Sequence, residues 1–496
     1  MNTTKYVFKK ILLSILTLVF SGSLLQYAGA QNTDPLRILM ITGGGPWHDY
    51  ATQKDQIEQG LLERLSNIEI TTDYEGADTL TMESTDFHFS RHLEDDWAAD
   101  FDVVIYNHCN LQVKDGAYVR GIIAEHVEHQ LPAVMLHCPI HLYQYAMDGA
   151  ADDWWDFTGA VSYAHEKENH PNTSPYTIEV LEPQHPIMKY QPPSWRTPSG
   201  ELYLIVDLHD NATPLTHAYS VETHSYTETA WIHEYEGVRV FASSLGHHNP
   251  SMGSDTNLNL VAAGVLWAAG KLEEDGSPAA GYEGERGLGW ISLLDDSLNG
   301  WIESGGVVNW TSASWYGRLD TEMVWPTVDN ASAGESFRLD GDTLVVEGDQ
   351  RNLFYDGPIA GGYFKNFEFK VDVYTYPGSA SGVYFHTHYE EEGSPGVGYE
   401  AQINASRAGE SMTGSLVGAS EVETAPHGDN EWFSYHIKVD GKNVTVNVNG
   451  ETVNEFTEPA DADGPASLRR GTIALEGVGS DSRVYFRNPM VRLLPD

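Results

Sequence analysis

The chain has 496 residues, with 28 lysines and arginines against 72 aspartates and glutamates, a formal net charge of −44. That length exceeds one ordinary core and implies two or more domains, and that charge disfavours nucleic acid, whose binding is led by Lys and Arg on phosphate. Two cysteines exclude a disulfide-built scaffold, a four-cysteine zinc site and an iron–sulfur cluster.

In chain order, Lys5, Lys9 and Lys10 precede an apolar run over residues 11–20, and Ala28-Gly29-Ala30 offers a small-residue cleavage site. The run is too short to span a bilayer and has the form of a secretory signal. Export to a periplasm or the outside is expected, with a mature chain from Gln31 and no transmembrane segment.

Residues 36–271 alternate apolar runs with amphipathic stretches. Strands are expected at 37–42, 68–72, 101–106, 132–136 and 238–242. Helices are expected where Ile57, Leu61, Leu62 and Leu65 recur, where Val119, Ile122, Ile123 and Val127 recur, and over 258–269. Strand alternating with helix predicts an α/β domain built on a parallel sheet covered on both faces, with its site at the carboxyl ends of the strands. Residues 272–289 are rich in Gly, Pro and Glu without periodicity and read as a linker.

Residues 290–496 switch to period two. Phe367, Phe369, Val371 and Val373 alternate with polar residues, as do Tyr435, Ile437 and Val439 before Asp440-Gly441, and Val444, Val446 and Val448 before Asn449-Gly450. Alternating strands joined by such turns predict an all-β sandwich of jelly-roll type.

Histidines gather at the predicted strand ends of the first half: His48 with Asp49, His108, His137, His141, and His247 with His248. These loops are expected to converge on one edge of the sheet. Imidazoles with a carboxylate suit a divalent metal such as zinc, with His48, His137 and His247 as candidate ligands, and equally suit acid–base work. Histidines that merely end strands and meet water give the same spacing. Cys138 follows a strand, where a nucleophile elbow would sit, but His137 and Pro139 are poor neighbours for that strained turn. A Cys109–Cys138 disulfide is the duller alternative in an oxidising compartment.

The pieces ITGGGPWHDY, AVMLH, DWWDFTGAVSYAH, His185-Pro186, Glu201-Leu202-Tyr203 and RVFASSLGH, in this order, resemble the trehalose-utilisation (ThuA-like) family over residues 36–270. The resemblance implies a class I glutamine-amidotransferase-like, flavodoxin-like fold and a role in disaccharide metabolism, especially of 3-keto-sugars. It marks His48, Asp49, His137, Glu201 and His247 as the matching polar positions. Gly200 departs from the Asp usual before Glu-Leu-Tyr.

In the second half, SGVYFHTHY sets Tyr384, His386 and His388 on one face, and GYEAQIN sets Glu400, Gln402 and Asn404 on one face. If both line one groove, His and Glu can move protons there; a solvated sheet face has the same pattern. Trp301, Trp310, Trp315, Trp325 and Trp432 add aromatic surface for core or sugar.

Together GWISLLDDSLNGW, FEFKVDV, SGVYFHTHY, GYEAQIN, TGSLVG, EWFSYHIKVDGKNVTVNVNG, GTIALEGVG and VYFRNPMVRLL resemble the 3-keto-disaccharide hydrolase family, a concanavalin-like jelly roll, over about 288–494. The resemblance implies cleavage of 3-keto-glycosides by hydrolysis or by elimination and hydration. Ala380 stands where the family's Asn-Ser-Gly motif has Asn, and His386 where Arg is usual. On this reading Glu400, His386 and His388 are the catalytic candidates, and Gln402, Trp432 and Glu368 the substrate-binding ones. A ketone at C3 acidifies the C2 hydrogen, so a base removes it and the C1 oxygen leaves; Glu400 or His388 is expected as base and His386 as acid. The alternative is a carbohydrate-binding sandwich attached to a ThuA-like domain that carries the only activity.

Overall fold

The computed structural model describes residues 34–76, 80–81, 86–165, 175–295, 297–305, 336–462 and 464–495. The expected leader, Trp310, Trp315 and Trp325 lie outside them. Among the described residues no helix is long and apolar enough to cross a membrane.

The first half begins with the predicted alternation. It runs through β1 (Leu36–Gly43), α1 (Tyr50–Arg64), β2 (Ile68–Glu75), β3 (Val103–His108), α2 (Gly116–His129), β4 (Ala133–Leu136) and α3 (Ala150–Thr158). It continues with β5 (Ala160–His165), β6 (Thr177–Val180), β7 (Ser194–Arg196), β8 (Tyr203–Leu208), β9 (Thr213–Ser220), β10 (Ser225–Tyr235), β11 (Val238–Ser243), α4 (Asn249–Met252) and α5 (Asp255–Ala268). Nine strands form one sheet in the order β2-β1-β3-β4-β11-β10-β9-β6-β7, and β5 pairs with β8 apart from it.

The sheet is mixed rather than wholly parallel. β2, β1, β3, β4 and β11 run parallel, with Ile38 opposite Val103 and Val240 opposite Ala133. β10, β9, β6 and β7 extend it antiparallel. The reversal is a two-residue hairpin: Tyr235 pairs with Val238, and Glu236 and Gly237 both take positive φ, 48° and 88°. That is the turn whose twist matches flanking strands. Buried apolar side chains lie on both faces of the parallel part, Ile38 and Met40 to one side, Leu39 and Ile41 to the other, as crossover helices require.

The segment read as a linker is packed. Tyr282 and Leu288 are buried in the first domain's core, Leu65 bridges Glu283, and Ser66 N donates to Tyr282 O at 2.9 Å. Its glycines serve close contacts: a Cβ on Gly284 would meet the Arg64 carbonyl carbon at 2.5 Å.

Among the described residues, every strand pairing of the second half is antiparallel. Its strands are β12 (Ile291–Ser292), β13 (Trp301–Glu303), β14 (Phe337–Asp340), β15 (Thr343–Glu347), β16 (Arg351–Tyr355), β17 (Phe367–Thr375), β18 (Ala380–Thr387), β19 (Tyr399–Asn404), β20 (Trp432–Asp440), β21 (Asn443–Val448), β22 (Glu451–Thr457), β23 (Thr472–Gly477) and β24 (Arg483–Leu493). One sheet runs β14-β15-β24-β17-β20-β21-β22, with β12 on β24; the other runs β13-β16-β23-β18-β19. The predicted alternation is seen directly: Phe367, Phe369, Val371 and Val373 meet Val383, Phe385, Ala401 and Ile403 in one core. Asn449-Gly450 makes the β21–β22 turn, with φ of 51° and 81° and Val448 opposite Glu451.

Candidate functional site

Two polar clusters stand out, one in each domain.

In the first domain, the parallel neighbours β1, β3, β4 and β11 end on the same edge of the sheet, where the loops after β1, β4 and β11 meet. His137, directly after β4, has φ 63° and ψ −104°. This is the sharp strand-to-turn geometry of a nucleophile elbow, held at a cost of about 1–3 kcal/mol. The residue on it is a histidine, not the neighbouring Cys138. Cys138 is in a disulfide with Cys109, Cα to Cα 5.5 Å, which removes it as a nucleophile and joins the ends of β3 and β4.

The His137 ring is fixed at both nitrogens. Nδ1 donates to Ser244 O at 2.7 Å, and Nε2 faces Glu201 Oε2 at 3.2 Å and His247 Nδ1 at 3.1 Å. His247 Nδ1 is 3.0 Å from the same Glu201 oxygen. His48 Nδ1 lies 3.1 Å from His247 O, and its ring sits edge-on to His247 and His137, centroids 4.5 and 5.0 Å away. From α1, the Gln53 amide donates to Gly246 O at 3.1 Å and His247 O at 3.0 Å, which holds the β11–α4 loop in place. Burial pulls His48 and His137 below the usual imidazole range, while Glu201, against its own burial, is held well below the usual carboxylate range by the His137 and His247 rings beside it. A cleft of about 640 Å³ opens onto His48 and His247, between Trp47, Ser199 and His248.

Of the five positions marked in this domain, four converge. Asp49 caps α1 instead: Oδ1 accepts from Thr52 N at 3.2 Å and Oδ2 from Asn249 Nδ2 at 2.8 Å. His108 is buried behind the cluster against Phe89, its Nδ1 on Asn110 Oδ1 at 3.1 Å. His141 stacks on Tyr203 and touches the Cys138 sulfur at 3.4 Å. Gly200 leaves room for Tyr176, whose ring a Cβ would strike at 2.1 Å.

In the sandwich, the outer face of the five-stranded sheet carries Tyr384, Glu400, Gln402 and Glu476. β18 and β19 pair Tyr384 with Glu400 and Gly382 with Gln402; β18 and β23 pair Tyr384 with Ala474. The Tyr384 hydroxyl donates to Glu400 Oε2 at 2.8 Å and lies 3.4 Å from Glu476 Oε1. Gly382 makes room, since a Cβ there would meet Glu400 Oε1 at 2.8 Å. Arg407, whose charge acts on Glu476, is turned to Glu410 at 2.8 Å and Asp481 at 3.2 Å. Burial, then the Glu400 charge, pushes Glu476 up to about 8; burial also raises Glu400, against the Tyr384 hydrogen bond.

The expected catalytic pair of histidines is not there. A bulge against β23 between Phe385 and Thr387 takes His386 out of alternation, with φ 56°. Its ring turns toward Phe367; Nε2 is 2.8 Å from Lys365 O and Nδ1 accepts Arg469 N at 3.1 Å. Both nitrogens are thus committed to backbone. His388 is 54% exposed and 3.8 Å from Glu390. Glu368 and Trp432 lie on the other sheet: Glu368 pairs with Arg492 at 2.8 Å and His436 at 2.9 Å, and Trp432 lies under Arg487 beside Tyr374. Period two sends both away from Glu400. Ala380 N and O both bond Ser482 Oγ, at 3.0 and 2.6 Å.

Sequence reasoning missed Glu476 and overlooked the Tyr384 hydroxyl as a bridge. The signal for Glu476 was present in TIALEG, where buried Ile473 and Leu475 alternate with Ala474 and Glu476.

A two-domain, carbohydrate-related protein is what fold and family comparison define. A model for trehalose utilisation matches residues 38–268 and one for the 3-keto-alpha-glucoside-1,2-lyase-like domain matches 289–492. The chain therefore carries a ThuA domain followed by a 3-keto-disaccharide hydrolase domain. No curated protein matches it. Among solved structures, a candidate thua-like protein of Parabacteroides merdae is 17% identical, over 51% of this chain and 98% of that one, with a TM-score of 0.37. A candidate glycosyl hydrolase of Parabacteroides distasonis is 19% identical, over 41% and 99%, with a TM-score of 0.30. A carbohydrate-binding module of Bacillus subtilis is 12% identical, over 32% and 90%, with a TM-score of 0.24.

Proposed function

We propose that the chain is an exported carbohydrate enzyme whose sandwich cleaves 3-keto-glycosides by elimination, with the ThuA domain binding or acting on a related sugar. The observation that carries this is the Tyr384 hydroxyl set between two carboxylates, 2.8 Å from Glu400 and 3.4 Å from Glu476. Elimination needs one proton taken and one given. Glu400, ionised, takes the proton from C2 beside the ketone. The C1–oxygen bond breaks, the Tyr384 hydroxyl gives its proton to the departing oxygen, and Glu476 replaces that proton. Gln402, two residues along the same face, holds a substrate hydroxyl. The Cys109–Cys138 disulfide agrees with an oxidising compartment and so supports export.

The test is turnover of a 3-keto-disaccharide by the full chain, beside the unoxidised sugar and with the C2 position deuterated. Cleavage of the keto sugar alone, slowed several-fold by deuterium, is expected. Glu400→Gln is expected to lose about 10²–10⁴-fold in kcat, the range of a positioned base. An E400Q chain with undiminished turnover overturns the assignment.

A second reading has its own observation. Tyr374, Tyr376, Trp432 and Tyr485 form a half-buried aromatic row on the outer face of the larger sheet, with Arg483 and Arg487 over the rings. Such a surface suits sugar stacking. Sugar binding that Trp432→Ala abolishes, without any turnover, favours a binding module.

A further inference from the structure

The first domain's cluster has a feature that acid–base chemistry does not require. Three ligand-type atoms, His137 Nε2, His247 Nδ1 and Glu201 Oε2, stand 3.0–3.2 Å from one another. His137 Nδ1 is committed as a donor to Ser244 O, so its Nε2 bears a lone pair. A single hydrogen on His247 Nδ1 serves two edges of this triangle only as a poor fork. A cation serves all three. Zinc-type bonds of about 2.0–2.2 Å to imidazole and carboxylate at tetrahedral angles put neighbouring ligand atoms about 3.3–3.6 Å apart. An ion of that size caps the triangle once its edges, 3.0–3.2 Å here, open by a few tenths of an ångström.

The surroundings fit the same purpose. His48 Nδ1 is directed at His247 O, which leaves Nε2 as a further ligand, and one ring nitrogen of each of His48, His137 and His247 lies within 4.8 Å of the others. The backbone contacts at His137 and His48 are the outer-shell type that orient metal-binding imidazoles. Gln53 braces the loop that carries His247. Of the cluster, His48 and His247 line the cleft beside Trp47, Ser199 and His248. A closed, four-ligand structural ion would not need that opening.

We propose that His137, His247 and Glu201, completed by His48, bind one divalent cation of the zinc class, with a coordination position open to the cleft for a substrate oxygen. The site is independent of the sandwich reaction: it stands on the loops after β1, β4 and β11 and on the segment before β8, and its failure would leave the Glu400 assignment untouched.

The test uses the full chain, dialysed against a chelator and then titrated with Zn2+ or Co2+ alone. One cation per chain is expected, with a rise in melting temperature and visible Co2+ absorption bands of a low-symmetry nitrogen–oxygen site. Glu201→Gln keeps the side chain's volume and is expected to weaken binding at least tenfold; His247→Gln, on a loop rather than at the strained position, is expected to do the same. His217→Gln, on the far antiparallel strand β9, serves as control. A folded wild-type chain that binds no stoichiometric cation overturns the proposal, as does a Glu201→Gln or His247→Gln chain that binds as tightly as wild type.

Discussion

Gly382 shows how much one missing side chain can carry. It lies on β18 opposite Gln402, and any Cβ would press on the Glu400 carboxylate at 2.8 Å. Its backbone is ordinary, so alanine there costs little strain. Gly382→Ala is expected to cut turnover of the keto sugar at least tenfold while the melting temperature moves by only a few degrees; equal activity would show that the carboxylate can shift aside. Glu476 gives the second expectation at this scale. Its folded pKa stands near 8, above its ordinary 4.5. Between those values the native chain holds a proton that the unfolded chain has released, so stability falls as pH rises through that window. Glu476→Gln is expected to flatten that slope and to be the more stable chain at pH 8, read by denaturant unfolding at pH 5 and pH 8. The residues that sequence alone placed well were those fixed by strand alternation, Glu400 and Gln402, or by a strand's end, His48, His137 and His247. His386 was misplaced because a bulge breaks the period of two, and no residue type in SGVYFHTHY announces a bulge.

Among the elements, those with a strong period were legible. β1, β3, β4 and β11 are short apolar runs, and β17, β20 and β21 alternate cleanly. The antiparallel extension β10-β9-β6-β7 was not. Its strands TPLTHAYS and SYTETAWIHEY mix Thr, Ser, Tyr and His on both faces, so neither period stands out. Yet their interior is built: Thr216 Oγ1 and Thr229 Oγ1 bond each other at 2.8 Å with both residues fully buried. Helix α1 carries a costlier device. Arg64, its side chain wholly buried, donates to Asn259 Oδ1 and Asp255 Oδ1 at 2.7 Å each and to Gly60 O at 3.0 Å. It pins α1 to α5. Removing it leaves Asp255 to Arg286 and Ser292 and takes this donor from Asn259 Oδ1, so Arg64→Met is expected to destabilise by about 1–3 kcal/mol, measured as a shift in the denaturant midpoint.

For the whole molecule, the seam between domains decides whether they unfold together. Residues Pro35–Asp496 cluster as one unit. Trp290 lies at the joint: its ring carries Lys370 at 4.1 Å and Arg492 at 5.0 Å, and its carbonyl accepts from Asn259 of α5 at 3.2 Å. Arg492 in turn lies over Tyr190 of the first domain, 5.4 Å from its ring. Asp255 accepts from Ser292 N at 2.8 Å and pairs with Arg286. Composition suggested a linker here because 272–289 are rich in Gly, Pro and Glu without periodicity, whereas the contacts depend on a few apolar residues spaced among them. A single calorimetric transition is expected for the intact chain. Trp290→Ala, about 3–5 kcal/mol, is expected to split it in two, and an unsplit transition would place the coupling elsewhere.

The Cys109–Cys138 bond acts on the chain before any of these contacts form. It closes a loop of 29 residues that contains the whole of α2 and β4. By chain-statistics reasoning, closing such a loop removes about 3.6 kcal/mol worth of conformational freedom from the unfolded ensemble at 25 °C. The bond lies at the carboxyl ends of two neighbouring parallel strands, a pairing that is slow to find because its partners are far apart in sequence. Once oxidised, the unfolded chain already holds β3 beside β4 at the end where His137 stands, so the search for that edge begins half finished.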